Sequence, residues 1–284
     1  MKRILILFII IAGAYILYNS IGNLPWLSGK DSNGVEVTDK VDTIEFDISS
    51  VSMTIIPEDR KDLETVYEGK GKVTVKRSGD TITVEHKRPW FLLFSFFNST
   101  KLTVYVPEDY NQDMLIDVGS GNVELAGKSS SQPFELKELS LNIGSGNVEL
   151  ENIVVKNFSH DGGSGNLTVN SLESETSSID LSSGNAKLSD FTGKLEADIF
   201  SGKLNVQMSE LKDSVDIDVS SGNVVLDLPD NADFKLNGEV GSGNISYDYP
   251  LSISHDSKHE IEGTHGSGKH SIELEVSSGN VEVK

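Results

Sequence analysis

Between Ser120 and Asn280 the chain returns nine times to Ser-Gly-Asn or Ser-Gly-Lys, starting at Ser120, Ser145, Ser164, Ser183, Ser201, Ser221, Ser242, Ser267 and Ser278. The steps between copies are 25, 19, 19, 18, 20, 21, 25 and 11 residues. Self-similarity at such a period means that one structural unit is stacked on copies of itself, which restricts the chain to a repeat architecture. It says little about chemistry, because the function of a stacked scaffold lies in what decorates its surface.

Aligned on the serine, the copies expose columns. Two residues before it stand Val118, Ile143, Gly162, Leu181, Ile199, Val219, Val240, His265 and Val276. Directly after the tripeptide come Val123, Val148, Leu167, Ala186, Leu204, Val224, Ile245, His270 and Val281, with a second apolar column two residues further on. Alternate positions are polar, the period of half-buried strands on both sides of a turn. Gly and Asn tolerate positive φ, so Gly121-Asn122, Gly146-Asn147, Gly165-Asn166, Gly184-Asn185, Gly222-Asn223 and Gly243-Asn244 are read as structural turns.

Two architectures fit this pattern. In a meander each Gly-Asn is the loop of a two-residue hairpin pairing Ser120 with Val123. In a solenoid of about 20 residues per coil the turns lie over one another, with coils about 4.8 Å apart and Asn side chains in an amide ladder. The variable residues between copies favour the solenoid, since only the constant turn then touches its own equivalents. The expected fold is all-β, a single-stranded parallel β-helix with Ser-Gly-Asn turns, preceded by one N-terminal transmembrane helix.

Lys2 and Arg3 precede an uncharged Ile- and Leu-rich run from Ile4 to Tyr18, with Trp26 suited to the interface beyond it. Spanning takes about 20 residues, and the leading positive charges predict a cytoplasmic N-terminus with the rest outside, in a single-pass membrane protein. Cleavage as a signal peptide at Ala12-Gly13-Ala14 is the alternative. The segments are read as an anchor over 1–22, a tether over 23–40, an N-terminal capping part of the solenoid over 41–114 and the repeat solenoid over 115–284. Within the capping part, Ile44 to Ile55 resembles a degenerate copy of the repeat, running through Ser49 and Ser50.

The formal charge is −20, from 44 acidic and 24 basic residues, which argues against nucleic acid as a partner. Cysteine is absent, which rules out disulfides and thiolate chemistry. No nucleophile elbow, phosphate-binding loop, Rossmann fingerprint or zinc-protease motif occurs, and no enzyme is expected.

Three groups of side chains suggest contacts. Three residues before the serines stand Asp117, Asp161, Asp180, Asp198, Asp218, Glu239 and Glu275, an acidic ladder read as a binding stripe. Divalent cations, Ca²⁺ foremost, are its candidate ligands, set against a solvated stripe that needs none; the lack of a Gly-Gly-x-Gly-x-Asp pattern favours the latter. The aromatic run holding Trp90, Phe91, Phe94, Phe96 and Phe97 either touches the membrane or plugs the open end of the solenoid. His255, His259, His265 and His270 cluster near the C-terminus without a metal-ligand spacing and are read as cap residues.

The short anchor, the early Asp47-Ile48-Ser49-Ser50-Val51-Ser52 segment, a strand ending in Val106-Pro107 and the Ser-Gly-Asn-Val train resemble the bacterial "putative adhesin" family of β-helical proteins, over roughly residues 40 to 284. The resemblance implies a parallel β-helix outside the membrane and supplies no catalytic residues. It further implies a binding or accessory module linked to the cell-envelope stress response, with other envelope membrane proteins or cell-wall polymers as partners. A surface adhesin for polysaccharide and a glycan-acting β-helix enzyme are the alternatives.

Overall fold

In a computed structural model the chain is described over residues 33–69, 71–87 and 100–284. The anchor, residues 23–32 of the tether and the five aromatics from Trp90 to Phe97 lie outside the described residues. Among the described residues no helix is long and apolar enough to cross a membrane.

Parallel register decides between the two architectures. β8 (Asp113–Ala126) runs beside the first part of β9 (Phe134–Glu210), with Gly121 level with Gly146 and Asn122 level with Asn147. β9 winds on through the corners at Ser145, Ser164, Ser183 and Ser201, and its last part lies parallel to β10 (Val215–Asp227), with Gly202 level with Gly222. A hairpin would fold each Gly-Asn back on itself; here each corner lies on the corner of the next coil. The described residues form an all-β solenoid.

The glycine is required at the corner for two reasons. Its φ lies between +136° and +156° at Gly121, Gly146, Gly165, Gly184, Gly202, Gly222, Gly243 and Gly279. Its Cα also presses on the coil beneath, so that a β-carbon on Gly165 would stand 1.7 Å from the Gly146 carbonyl oxygen. A second corner follows seven residues after Ser145, Ser164 and Ser183, where Asn152, Ser171 and Asp190 adopt φ of 54°, 64° and 55°. Between corners the apolar columns point inward. Val118, Ile143, Leu181, Ile199 and Val219 are buried in one file and Val123, Val148, Leu167, Ala186 and Leu204 in another. Each fully buried aliphatic side chain contributes about 1.5–3 kcal/mol.

The order of coils departs from the order of the chain at both ends. β2 (Thr43–Ser50) and β3 (Ser52–Glu58) form one coil, the degenerate copy, lying parallel to β8 with Ser50 level with Ser120 and Met53 level with Val123. Outside it lie β6 (Thr81–Lys87) and β7 (Lys101–Pro107), later in sequence, parallel to β2 and β3. Likewise β14 (His270–Val283), last in sequence, is inserted between β10 and β11 (Phe234–Tyr247), with Gly279 level with both Gly222 and Gly243. Each terminal coil thus gains ladder partners on two sides.

Antiparallel strands close the ends. β4 (Asp62–Glu68) pairs with β7, β1 (Asn33–Glu36) with β4, and β5 (Lys72–Ser78) with β6. At the far end β13 (Glu260–His265) pairs with β11, and β12 (Ser252–Asp256) with β13. Such strands stop the parallel stack from templating further copies.

Two short crossings allow the inserted order. Residues 108–112 pass over the start of β2, where the Tyr110 hydroxyl lies 2.6 Å from the Asp113 carbonyl oxygen and 3.3 Å from that of Asp42. Residues 266–269 pass over the start of β11, and the Asp233 carboxylate accepts hydrogen bonds from the Ser267 and Lys269 amides and the Ser267 hydroxyl at 2.8, 3.0 and 2.7 Å. The copy at Ser267 is therefore not a corner of the stack. Gly266 and Gly268, with φ of +68° and +74°, form the crossing turn, and His265 and His270 flank it instead of filling core columns.

Candidate functional site

Stacking converts the sequence columns into files on the surface. The amide ladder forms: Asn147, Asn166 and Asn185 each donate from Nδ2 to the Oδ1 of Asn122, Asn147 and Asn166 at 3.1, 2.8 and 2.9 Å. Lys203 interrupts it, and it resumes with Asn280 donating to Asn223 at 3.0 Å.

The acidic ladder also forms. Asp47 stands level with Asp117, Asp117 with Asn142, Asp198 with Asp218, Asp218 with Glu275, and Glu275 with Glu239. Asp161 and Asp180 fill the middle of the file, where burial, then the charges of Asp198 and Asp161, raise the Asp180 carboxyl above the usual carboxylate range. In the next file, burial followed by Glu196 and Glu273 does the same to Asp216. Thr264, in β13, stands outside the file. Carboxylates about 4.8 Å apart repel by about 1 kcal/mol per pair even in water.

Beside this file the surface opens into a groove of about 280 Å³, lined by Asp180, Ser182, Asp198, Phe200, Asp218 and Ser220 together with Leu181 and Ile199. Its centre is Phe200, 69% exposed and, with Ile253, one of two large hydrophobic side chains left exposed among the described residues. Phe200 occupies the position just before the corner serine. The equivalents in other coils are Ser49, Gly119, Gly144, Gly163, Ser182, Ser220, Gly241 and Ser277. At Gly119, Gly144 and Gly163 a β-carbon would meet the carbonyl oxygen of the coil beneath at 2.5–2.7 Å, so no side chain fits there. From Ser182 to Ser220 the file has room, and register sets Ser220 level with Phe200. The sequence columns chosen for their apolar or acidic character passed over this residue. Its signal was an aromatic in a column of Gly and Ser.

Other polar clusters are structural. The buried His86 ring has the Tyr67 hydroxyl 2.9 Å from Nε2 and the Ser49 hydroxyl 3.3 Å from Nδ1, while Ser49 also donates to the His86 carbonyl at 3.2 Å. His160 lies in the core beside Gly162, whose missing side chain makes room for the ring; burial lowers its pKa to about 4. The four C-terminal histidines do not converge. His265 packs between Phe234 and Tyr249, His259 Nδ1 lies 2.9 Å from the Val240 carbonyl oxygen, and His255 faces Glu260. Among the described residues no three His, Asp or Glu side chains come together as a metal ion would require.

A family model for Toastrack DUF4097 matches residues 41–284. The chain belongs to the Toastrack DUF4097 family. None of the curated proteins compared matches it. Among solved structures the Toastrack solenoid is similar to a "putative adhesin" from Bacteroides fragilis, with 13% identity and a TM-score of 0.51 over 89% of this chain and 96% of that one. It is also similar to a "putative lipid binding protein" from Parabacteroides distasonis, with 15% identity, a TM-score of 0.46 and coverage of 91% and 98%. A "putative adhesin" from Parabacteroides merdae shares 12% identity, with a TM-score of 0.44 and coverage of 89% and 95%. At such identities the first of these likenesses speaks for the Toastrack fold alone.

Proposed function

We propose that this Toastrack protein is a non-enzymatic binding module, held by residues 1–22 in the cell membrane and displayed on its outer side, where it engages a component of the cell envelope. The observation that carries the reading is the acidic file, broken at Asn142, with a groove beside it. Such a file presents a long, rigid contact surface, and polymer-like or extended partners fit it best. The N-terminal charge pattern supports the anchoring and orientation. The anchor, the Asp47-to-Ser52 segment and the Ser-Gly-Asn train are similar to those of LiaG, a membrane-anchored protein of the Lia cell-envelope stress system, and this supports a role in envelope-stress signalling. In the second reading the protein is a surface adhesin for polysaccharide, in keeping with the "putative adhesin" from Bacteroides fragilis that shares its fold.

Photocrosslinkers placed along the acidic file in intact cells test the proposal. Capture of envelope membrane proteins is the expected outcome, capture of glycan favours the adhesin reading, and wild-type protein capturing neither overturns the binding module.

A further inference from the structure

We infer that the groove around Phe200 is a docking site for a basic peptide segment, with a lysine stem lying on the Phe200 ring, its ammonium group at the Asp198 carboxylate, and neighbouring basic side chains at Asp180 and Asp218. The inference rests on the reading of the chain as an envelope-side binding module and gives that module a ligand class.

The argument is one of complementarity. The groove combines an exposed aromatic face with three carboxylates and has no basic side chain in its lining. A metal ion would use the carboxylates and ignore the ring, and no three acids converge on one point among the described residues. A neutral sugar would use the ring and leave the negative charge unmatched. An anion would be repelled by the groove and by the chain's overall charge of −20. An organic cation uses both parts, since the π-face attracts positive charge and the carboxylates form charge-assisted hydrogen bonds with an ammonium.

A lysine side chain adds a reason of shape. Its four-carbon stem covers apolar surface while its head stays at the polar rim. Asp180 and Asp218 lie about 4.8 Å to either side of Asp198, while same-face side chains of an extended strand recur about every 6.6 Å, a difference that flexible four-carbon lysine stems take up. The file of carboxylates extends far beyond the groove, but Phe200 belongs to one coil, and it fixes where the segment docks.

Full-length protein in detergent is titrated with fluorescein-labelled hexalysine at low ionic strength. The expected result is saturable binding that weakens about tenfold in Phe200→Ser, which keeps every charge and installs the residue found in the neighbouring coils. Asp198→Asn weakens it similarly, and Asp117→Asn, on the same file but away from the groove, changes it less than twofold. Binding by Phe200→Ser equal to wild type would reduce the attraction to long-range charge and overturn the site. Preference for a glucosamine oligomer over hexalysine would overturn the peptide assignment. Hexalysine failing to bind while in-cell capture persists overturns the groove and leaves the binding module standing, whereas loss of both removes both.

Discussion

The Cα of Gly146 lies so close to the backbone of Gly121, 25 residues earlier, that a β-carbon on it would stand 1.6 Å from the Gly121 carbonyl oxygen. The same approach recurs from coil to coil, and the solenoid can close up to strand spacing at this corner only because the position is bare. The glycine file is thus what fixes the register that places the Asn, Asp and Phe200 positions above one another.

Gly165→Ala tests that approach in the middle of the stack. The methyl would meet the Gly146 carbonyl oxygen at 1.7 Å on a backbone with φ of +136°. We expect a loss of about 3 kcal/mol or more in denaturant unfolding. Gly79→Ala is the comparison: its φ is +66° with nothing within 4 Å, and the cost should be only about 1 kcal/mol.

Lys203→Asn should join the two amide ladders. The side chain at this position stands level with Asn223 and one coil from Asn185. Two new exposed amide hydrogen bonds should raise stability by about 1 kcal/mol, read as a shift in denaturation midpoint at constant slope.

His160 is neutral in the fold, its pKa lowered to about 4 from 6.5 by burial. Its stability contribution is therefore complete above pH 6.5 and is lost as pH falls toward 4, because the unfolded chain takes up the proton first. Over that window wild type should lose about 3 kcal/mol relative to His160→Leu, a residue of the type found at this column in Leu141. Asp180 and Asp216, whose pKa values are raised, act in the opposite direction: the fold gains from them as pH falls. The difference between the two proteins across pH isolates the histidine.

Asp233→Ala removes the acceptor that holds the crossing turn at Ser267. The hydrogen bonds from Lys269 and Ser267 hold this carboxyl down to about 2, so its contribution is present above pH 3.8 and lost as pH falls toward 2. At neutral pH we expect faster amide exchange along β14, while β8 and the first coils of β9 keep their protection.

The corners, the parallel stacking, the amide ladder and the acidic file were all legible in the sequence, because each repeats a side chain with one physical demand at one position. The degenerate copy at Ser50 was legible for the same reason, as its apolar alternation survives without the glycine. The order of the coils was not. Ser278 sits between Ser221 and Ser242 because the parallel edges of similar coils offer equivalent partners, and the choice is made by crossings pinned through Tyr110 and Asp233, which belong to no column. Ser267 misled because Ser-Gly-Lys also serves a tight turn in which both flanking glycines, Gly266 and Gly268, take positive φ. The second corner escaped notice because Asn152, Ser171 and Asp190 share a backbone conformation without sharing a residue type.

Cysteine pairs test the inserted stack most directly, since the natural chain has none. Asn223 and Asn280 lie on adjacent parallel strands about 4.8 Å apart, within disulfide reach, while Asn223 and Asn244 lie two strands apart, about 9.6 Å, and beyond it. Under mild oxidation Asn223→Cys with Asn280→Cys should crosslink in nearly every molecule, and Asn223→Cys with Asn244→Cys should remain reduced. Crosslinking of the second pair with the first left reduced would contradict the account.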